Sequence, residues 1–360
     1  MSLKVLYIIT DLGMGGAETQ VCSLADKVAE LGHNVTIVYL TGELVVSPKN
    51  RKVKLIPLDM KKNNFSLVSS IFRLSRLIKS ISPDVVHSHM IHANLITRVL
   101  RIFTPMNKLV CTAHNADEGG KLRMLLYRLT DNLCDVFTNV GQTAVDSFIK
   151  KKASPSNRII SVVNGIDTDV FKPGDINEDY STIDSEFPSG KRIFLAVGRL
   201  DIQKDYSNLL TAISKIPDIY DYHVVIVGFG TDLLKDEVYK LGIENRVSLL
   251  GLRKDVALLM KRSDALVMSS AWEGLPIVIG EAMSTGCNIV CTDAGGCKEW
   301  LSPLESVVAT KNSELLADAL IAKLSLDNED WNHIGIRNRQ HIIDNFSIES
   351  VTNKWIELYR

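Results

Sequence analysis

The chain has 360 residues, 46% hydrophobic and 23% charged, with a formal net charge of −1. That composition suits a soluble globular protein with room for two domains, each with its own core. It excludes a disordered chain, and no apolar run approaches the roughly 20 residues that span a bilayer.

The N-terminal "MSLKVLYIITDLG" has no signal-peptide cleavage pattern and reads as a strand. In the first half, strands are expected at 4–10, 34–40, 84–87, 108–113 and 135–140, with helices such as 16–31 and 65–81 between them. In the second half they are expected at 192–198, 223–228, 246–251, 264–270 and 288–293. Continuous apolar strands alternating with helices indicate parallel sheets buried on both faces. The alternation runs twice, so the expected fold class is α/β, with two doubly wound Rossmann-like domains facing a cleft. The segment "NGIDTDVFKPGDINEDYSTIDSEFPSG" is polar, with two Pro, three Gly and no sustained period. It divides the chain into an acceptor-side domain at 1–165, a linker at 166–190 and a donor-binding domain at 191–335. A C-terminal helix is expected at 336–360, packing back toward the first domain.

Charge is uneven. Residues 1–170 carry 21 Lys+Arg and 14 Asp+Glu, a balance of +7, while residues 171–360 carry 20 and 28, a balance of −8. The surplus lies in amphipathic stretches: 65–81 with Arg73, Arg76 and Lys79, 94–103 with Arg98 and Arg101, and 121–129 with Lys121, Arg123 and Arg128. These are either solvated helix faces or a surface for anionic headgroups. Nucleic acid is disfavoured, because the whole chain is near neutral and lacks a base-stacking motif. Six Cys without a CxxC pair indicate reduced core thiols and a cytoplasmic location, not a zinc site.

Four loops at strand ends stand out. "TDLGMGGAE" (10–18) puts Gly13, Gly15 and Gly16 before a helix. The spacing is not G-x-G-x-x-G and no acid ends the second strand, which disfavours a nicotinamide dinucleotide. A tight turn or a sugar or diphosphate contact remains. "CTAHNADEGG" (111–120) places His114 just past a strand, as a structural residue or a ligand contact. "VGRLDIQKDYSNLL" (197–210) carries Arg199 and Lys204, two cations suited to a diphosphate, or simply solvated. "SSAWEGLPIVIGEAMSTGC" (269–287) runs from a strand into a helix expected to start near Leu275, with Pro276 in its first turn and Gly286 ending it. Glu273 then lies in the loop and Glu281 nearly two turns into the helix. Both acids, with the backbone N–H groups that 275–278 offer (Pro276 has none) and the positive helix end, can serve one ligand, while the apolar residues between them anchor the helix. The alternative is a strand–helix turn with incidental surface acids.

In this combination the chain resembles glycosyltransferase family 4, the retaining, sugar-nucleotide-dependent transferases of GT-B fold, here of the bacterial surface-polysaccharide type. The E-x7-E element (Glu273, Glu281) is the most specific feature. The glycine-rich first loop, His114, "NGID" at 164–167, "GRL…K" at 199–204, "GFG" at 228–230 and "AGG" at 294–296 follow in family order. Two departures are Asp205, where many members have Gly, and Leu275–Pro276, where a Phe often follows Glu-Gly. The resemblance implies that Glu281 holds the ribose, and that Arg199 and Lys204 hold the diphosphate and stabilise the leaving phosphate in place of a metal. It implies that Glu273, with the backbone of Gly274, Leu275, Pro276, Ile277 and Val278, orients the hexose, and that His114 binds a hexose hydroxyl. Gly15, Gly16 and Arg253 complete the expected donor set. His114, Arg199, Lys204 and Glu273 form the expected catalytic group, acting by same-face attack or, less favoured, through a covalent Glu273 intermediate. No cofactor is expected, and the metal-like patterns "DTD" (167–169) and "HSHMIHAN" (87–94) are set aside. The implied partners are a nucleoside-diphosphate sugar, UDP-sugar by frequency, and a membrane-linked glycan or lipid-linked acceptor. The enzyme would sit in the cytoplasm, peripherally on the inner face of the plasma membrane. The alternative is a non-catalytic sugar-nucleotide-binding partner of a glycan assembly complex.

Overall fold

A computed structural model describes the chain except for residues 1, 14, 62–63 and 176–177 and the side chains of 64–67. It divides into two compact units, Met1–Gly165 with Ile348–Arg360, and Ile166–Ser347.

The first unit is built on seven strands: β1 Lys4–Ile9, β2 Asn34–Tyr39, β3 Lys54–Pro57, β4 Val85–His89, β5 Leu109–Ala113, β6 Val136–Asn139 and β7 Ile159–Ser161. All pairs are parallel, in the order β3-β2-β1-β4-β5-β6-β7. Val5, Tyr7 and Ile9 point to a core shared with the helices Gly16–Glu30 and Ile348–Tyr359. Leu6 and Ile8 point to the opposite core, under helices 64–81, Ile91–Leu100, Lys121–Leu129 and Gln142–Lys150. Burial on both faces explains why these strands are apolar throughout rather than alternating.

The second unit has β8 Arg192–Val197, β9 Tyr222–Val227, β10 Val247–Leu249, β11 Ala265–Met268, β12 Asn288–Thr292 and β13 Ser306–Val308. They are again all parallel, ordered β10-β9-β8-β11-β12-β13. One face carries the helices Tyr206–Ser214 and Ser313–Leu324. The other carries Ile277–Ser284 and part of Asn328–Phe346.

Three features differ from the sequence expectation. The strands β3, β7 and β13 were not anticipated, being three or four residues long and only partly buried at sheet edges. Residues 166–190 are no free linker: Ile166, Ile183 and Phe187 are buried in the core of the second unit. The expected helix 336–360 is two helices, Asn328–Phe346 in the second unit and Ile348–Tyr359 in the first. Ser347 interrupts them in extended conformation (ψ 147°), because it pairs with Ile166, whose N–H donates to Phe346 O at 2.8 Å. All six cysteines are buried and unpaired. Among the described residues no helix is long and apolar enough to cross a membrane.

Candidate functional site

In the second sheet the connection direction reverses between β8 and β11, so the crevice for a ligand opens beyond their carboxyl ends. The loop after β8 carries Lys204 and the loop after β11 carries Glu273, 69 positions apart in sequence and in direct contact here. Lys204 Nζ lies 2.7 Å from Glu273 Oε1, the two side chains being 18% and 8% exposed. The Glu273 carboxylate accepts two further bonds, from Ser270 Oγ at 2.7 Å and from Gln203 Nε2 at 2.8 Å. Backbone stitches hold the two loops together: Ser269 Oγ donates to Lys204 O at 2.9 Å, and Ala271 N–H to Gln203 O at 2.8 Å.

Glycines make this close packing possible. A Cβ on Gly198 would overlap the Lys204 stem, and one on Gly228 would overlap the Gly198 carbonyl. Gly295 (φ 66°) lies against the Glu273 carbonyl, and Gly296 N–H donates to Gly274 O at 2.8 Å. The "AGG" sequence is therefore a backbone buttress under the Glu273 loop. Asp205 caps the helix Tyr206–Ser214 in a left-handed conformation, φ 49°. That is where glycine is at ease and Asp is tolerated, which explains the substitution seen in the sequence.

The helix after Glu273 begins at Ile277, not Leu275. Pro276 is its N-cap with ψ 101°, outside the first turn. Its extended backbone cannot continue the helix backward, so the N–H groups without an intrahelical acceptor begin at Ile277 and Val278. Ile279, Ala282 and Met283 bury the helix in the core. Glu281 keeps some exposed surface, and its carboxylate has no hydrogen-bond or ion-pair partner among the described residues. Burial alone pushes it up to about 7.

The remaining expected residues are less converged. Arg199 is 69% exposed and meets Asp201 at 3.4 Å. Arg253 is committed to Asp255, with bonds of 2.8 and 2.6 Å, and lies 3.7 Å from Glu186. A 440 Å³ hollow on the same loop is lined by Leu200, Asp201, Ile202, Asp205 and neighbours. Its two carboxylates make it a poor diphosphate site, and it includes neither Lys204 nor Glu273.

In the first unit the direction reverses between β1 and β4. Gly15 is the N-cap of Gly16–Glu30, and a Cβ there would overlap the Glu18 carboxylate. Burial, with Asp11 beside it, raises the Glu18 carboxyl. Two acids at this helix end suit hydroxyls rather than a diphosphate. His114, just past β5, has Nε2 3.1 Å from His89 Nδ1 on β4. Burial lowers its pKa to about 4, so it is neutral at pH 7. Its backbone N–H donates to Glu118 Oε1 at 3.4 Å, a carboxyl that burial pushes up to about 7.

The metal-like motifs have other employment. Asp167 accepts the N–H groups of Asp169 and Val170 in a turn. His87 bonds Tyr359 and Thr112, each at 2.7 Å, inside the core. Among the described residues no group of three His, Cys, Asp or Glu is placed to hold a metal ion. Sequence reasoning missed Gln203 and Ser270. Their only signal was adjacency to Lys204 and Glu273.

Residues 14–170 match the family described as Glycosyltransferase Family 4, and residues 180–341 match Glycosyl transferases group 1. Between them they take in most of both units. The chain belongs to glycosyltransferase family 4. This transferase is 25% identical to the GalNAc-alpha-(1->4)-GalNAc-alpha-(1->3)-diNAcBac-PP-undecaprenol alpha-1,4-N-acetyl-D-galactosaminyltransferase of Campylobacter jejuni, over 99% of this chain and 98% of that one. It is 28% identical to the UDP-Gal:alpha-D-GlcNAc-diphosphoundecaprenol alpha-1,3-galactosyltransferase of Escherichia coli, over 65% of this chain and 64% of that protein. Among solved structures, Anabaena HepE in complex with UDP superposes on the transferase with a TM-score of 0.83 over 99% of both chains, at 18% identity. Both units are Rossmann-like and the fold is GT-B.

Proposed function

We propose that this glycosyltransferase moves a hexose or N-acetylhexosamine, with retention, from a nucleoside-diphosphate sugar to a lipid-linked glycan in surface-polysaccharide synthesis. UDP-sugar is the first donor to test. The observation that carries the reading is the Lys204–Glu273 pair at the β8/β11 reversal, in the loop that leads to the helix N-terminus at Ile277, with one partly buried, unpaired carboxyl, Glu281, on that helix. The relatives support the choice of ligands: two are named for undecaprenyl-linked acceptors, one of these for UDP-Gal, and HepE was solved with UDP.

In this reading Glu281 accepts the ribose hydroxyls. Lys204 and the N–H groups of Ile277 and Val278 face the diphosphate, with Arg199 as a second, exposed cation. The bond between the anomeric carbon and the phosphate oxygen breaks, and its electron pair leaves with the phosphate. The acceptor oxygen attacks the same face of the sugar, and its proton passes to the departing phosphate oxygen. The positive groups stabilise charge that grows during this step, which is where such groups lower a barrier most. Glu273 orients the hexose rather than attacking it, because its carboxylate already accepts from Lys204, Gln203 and Ser270. Neutral His114 is the first unit's candidate for bonding a sugar hydroxyl. Arg253, tied to Asp255, acts on the donor only by shaping its loop.

The test is a panel of nucleoside-diphosphate sugars with a polyprenyl-diphosphate-linked disaccharide, read by mass spectrometry and by the anomeric coupling constant of the product. An α-linked product from an α-linked donor is expected. Tight nucleotide binding with neither transfer nor donor hydrolysis across the panel would favour the non-catalytic reading instead.

A further inference from the structure

The segment "HSHMIHAN" supplies two buried histidines to the first sheet. β4 and β5 pair in parallel, with His87 opposite Val110 and His89 opposite Thr112. Alternation along β4 puts both imidazoles on one face. Their ring centroids lie 4.0 Å apart, and the His89 ring also stands 5.7 Å from that of Tyr7 on β1. Met90 turns the chain immediately after His89, at φ 70° and ψ 158°, and its N–H donates to Thr112 O at 3.1 Å. That backbone region is all but confined to glycine, and another residue persists there only where its surroundings over-determine it. His89, 2% exposed, is thereby fixed at the end of β4, beside His114 just past β5.

Proton counting separates the two β4 histidines. His87 is satisfied twice, at Nδ1 by the Tyr359 hydroxyl and at Nε2 by Thr112 Oγ1, each at 2.7 Å. A hydroxyl donates or accepts, so either tautomer of His87 is served. His89 has its Nδ1 3.1 Å from His114 Nε2, while its Nε2 is buried without a partner among the described residues. Burial holds His89 well below the ordinary histidine range and His114 at about 4, so both rings are neutral at pH 7. One proton therefore lies between the two facing nitrogens. If His114 supplied it, His89 would carry its own proton on Nε2, a buried N–H with no acceptor. If His89 Nδ1 supplies it, His89 Nε2 is a bare lone pair and the His114 proton sits on Nδ1. Folded proteins leave a buried N–H orphaned less often than an acceptor, which favours the second arrangement. His114 keeps some exposed surface, and its Nδ1 is not enclosed.

We propose that His89 is a positioning residue that fixes His114 as a hydrogen-bond donor, with the His114 proton on Nδ1. The group that His114 holds must then offer a lone pair, as a sugar hydroxyl oxygen does, and that hydroxyl keeps its own proton for another acceptor. The tautomer is a property of the free protein. Only its use at a sugar hydroxyl rests on the proposed function.

The experiment is NMR of the full chain carrying nitrogen-15 histidine at neutral pH, with His114→Asn identifying the His114 signals. A bare ring nitrogen resonates far downfield of a protonated one. In the wild type, His114 should show a protonated Nδ1 and a bare Nε2. His89→Leu removes the donor, and the His114 signals should move toward an average of both tautomers. His89→Asn places an amide N–H where Nδ1 stood and should restore the wild-type pattern. With a sugar donor, kcat/KM should fall about threefold to tenfold in His89→Leu, the loss expected for one neutral hydrogen bond, and recover in His89→Asn. A purely structural role would lower the melting temperature without moving the His114 tautomer. A protonated Nε2 on wild-type His114 would overturn the proposal, and the wild-type spectrum decides this whether or not a variant folds. Unchanged His114 signals in His89→Leu would overturn it as well. The expected spectra without sugar transfer by the wild type would count against the proposed function and leave the tautomer assignment standing.

Discussion

Replacing Glu281 by Gln separates what this carboxyl costs the fold from what it gives a ligand. Burial raises it from 4.5 to about 7, and no partner compensates. A folded pKa above the unfolded one means that the folded state holds the proton more tightly. Stability is therefore complete below about 4.5 and falls as pH rises through 7. The shift corresponds to about 3 kcal/mol at full ionisation, a ceiling because the group keeps some exposure. Glutamine has the same shape and no charge to desolvate. At pH 4 the variant and the wild type should melt together. By pH 8 the variant should be more stable by about 2–3 kcal/mol, or about 4–12 °C in Tm. Nucleotide binding should move the other way. Loss of a charged hydrogen bond to the ribose, about 1.5–3 kcal/mol, weakens UDP by about tenfold to a hundredfold at pH 8. Differential scanning fluorimetry at pH 4 to 8, with and without UDP, reads both effects. A Tm difference that does not change with pH would refute the buried, unpaired carboxyl. Undiminished UDP binding would refute its role at the ribose.

Other perturbations have distinct signatures. Lys204→Ala should lower kcat by about 10²–10³, since it removes a charge placed where the leaving group develops its own. Glu281→Ala should act mainly on KM, and steady-state kinetics with the reverse pattern would overturn both assignments. Full activity is expected in excess EDTA, because Lys204, Arg199 and the helix end at Ile277 supply the positive charge; loss restored by Mn²⁺ would contradict this. Gly295→Ala should cost about 1–3 kcal/mol in thermal stability and displace the Glu273 loop, since the residue has φ 66° and no room for a Cβ beside the Glu273 carbonyl. A melt and a donor titration identical to wild type would show that the buttress is dispensable.

The two sheets were legible because buried parallel strands are long and apolar, and because helices separate them at regular intervals. Edge strands such as β13, "SVV", carry too little apolar sequence to announce themselves. The two acids of Glu273–Glu281 were visible as a spacing. Their different states were not. Ser270 reaches Glu273 from its own loop, but Lys204 and Gln203 reach it only because β8 and β11 become neighbours, and that depends on strand order. Glu281 is left alone because its helix is sunk in the core. Pro276 looked like a first-turn residue, yet it caps the helix from outside, where its extended backbone feeds the turn held by Gly296. Arg98 looked like part of a basic face, but two aromatic rings from the same core cover it.

Central to the proposed function is that Lys204 and Glu281 hold a nucleoside diphosphate without help from a metal. Calorimetric titration of UDP, GDP and ADP in EDTA, into the wild type and the Lys204→Ala and Glu281→Ala variants, tests this most directly. One nucleotide should bind the wild type saturably at one site per chain, and both variants should bind it at least about tenfold more weakly. Equal affinity in all three proteins, or no binding of any nucleotide to the wild type, would contradict the account.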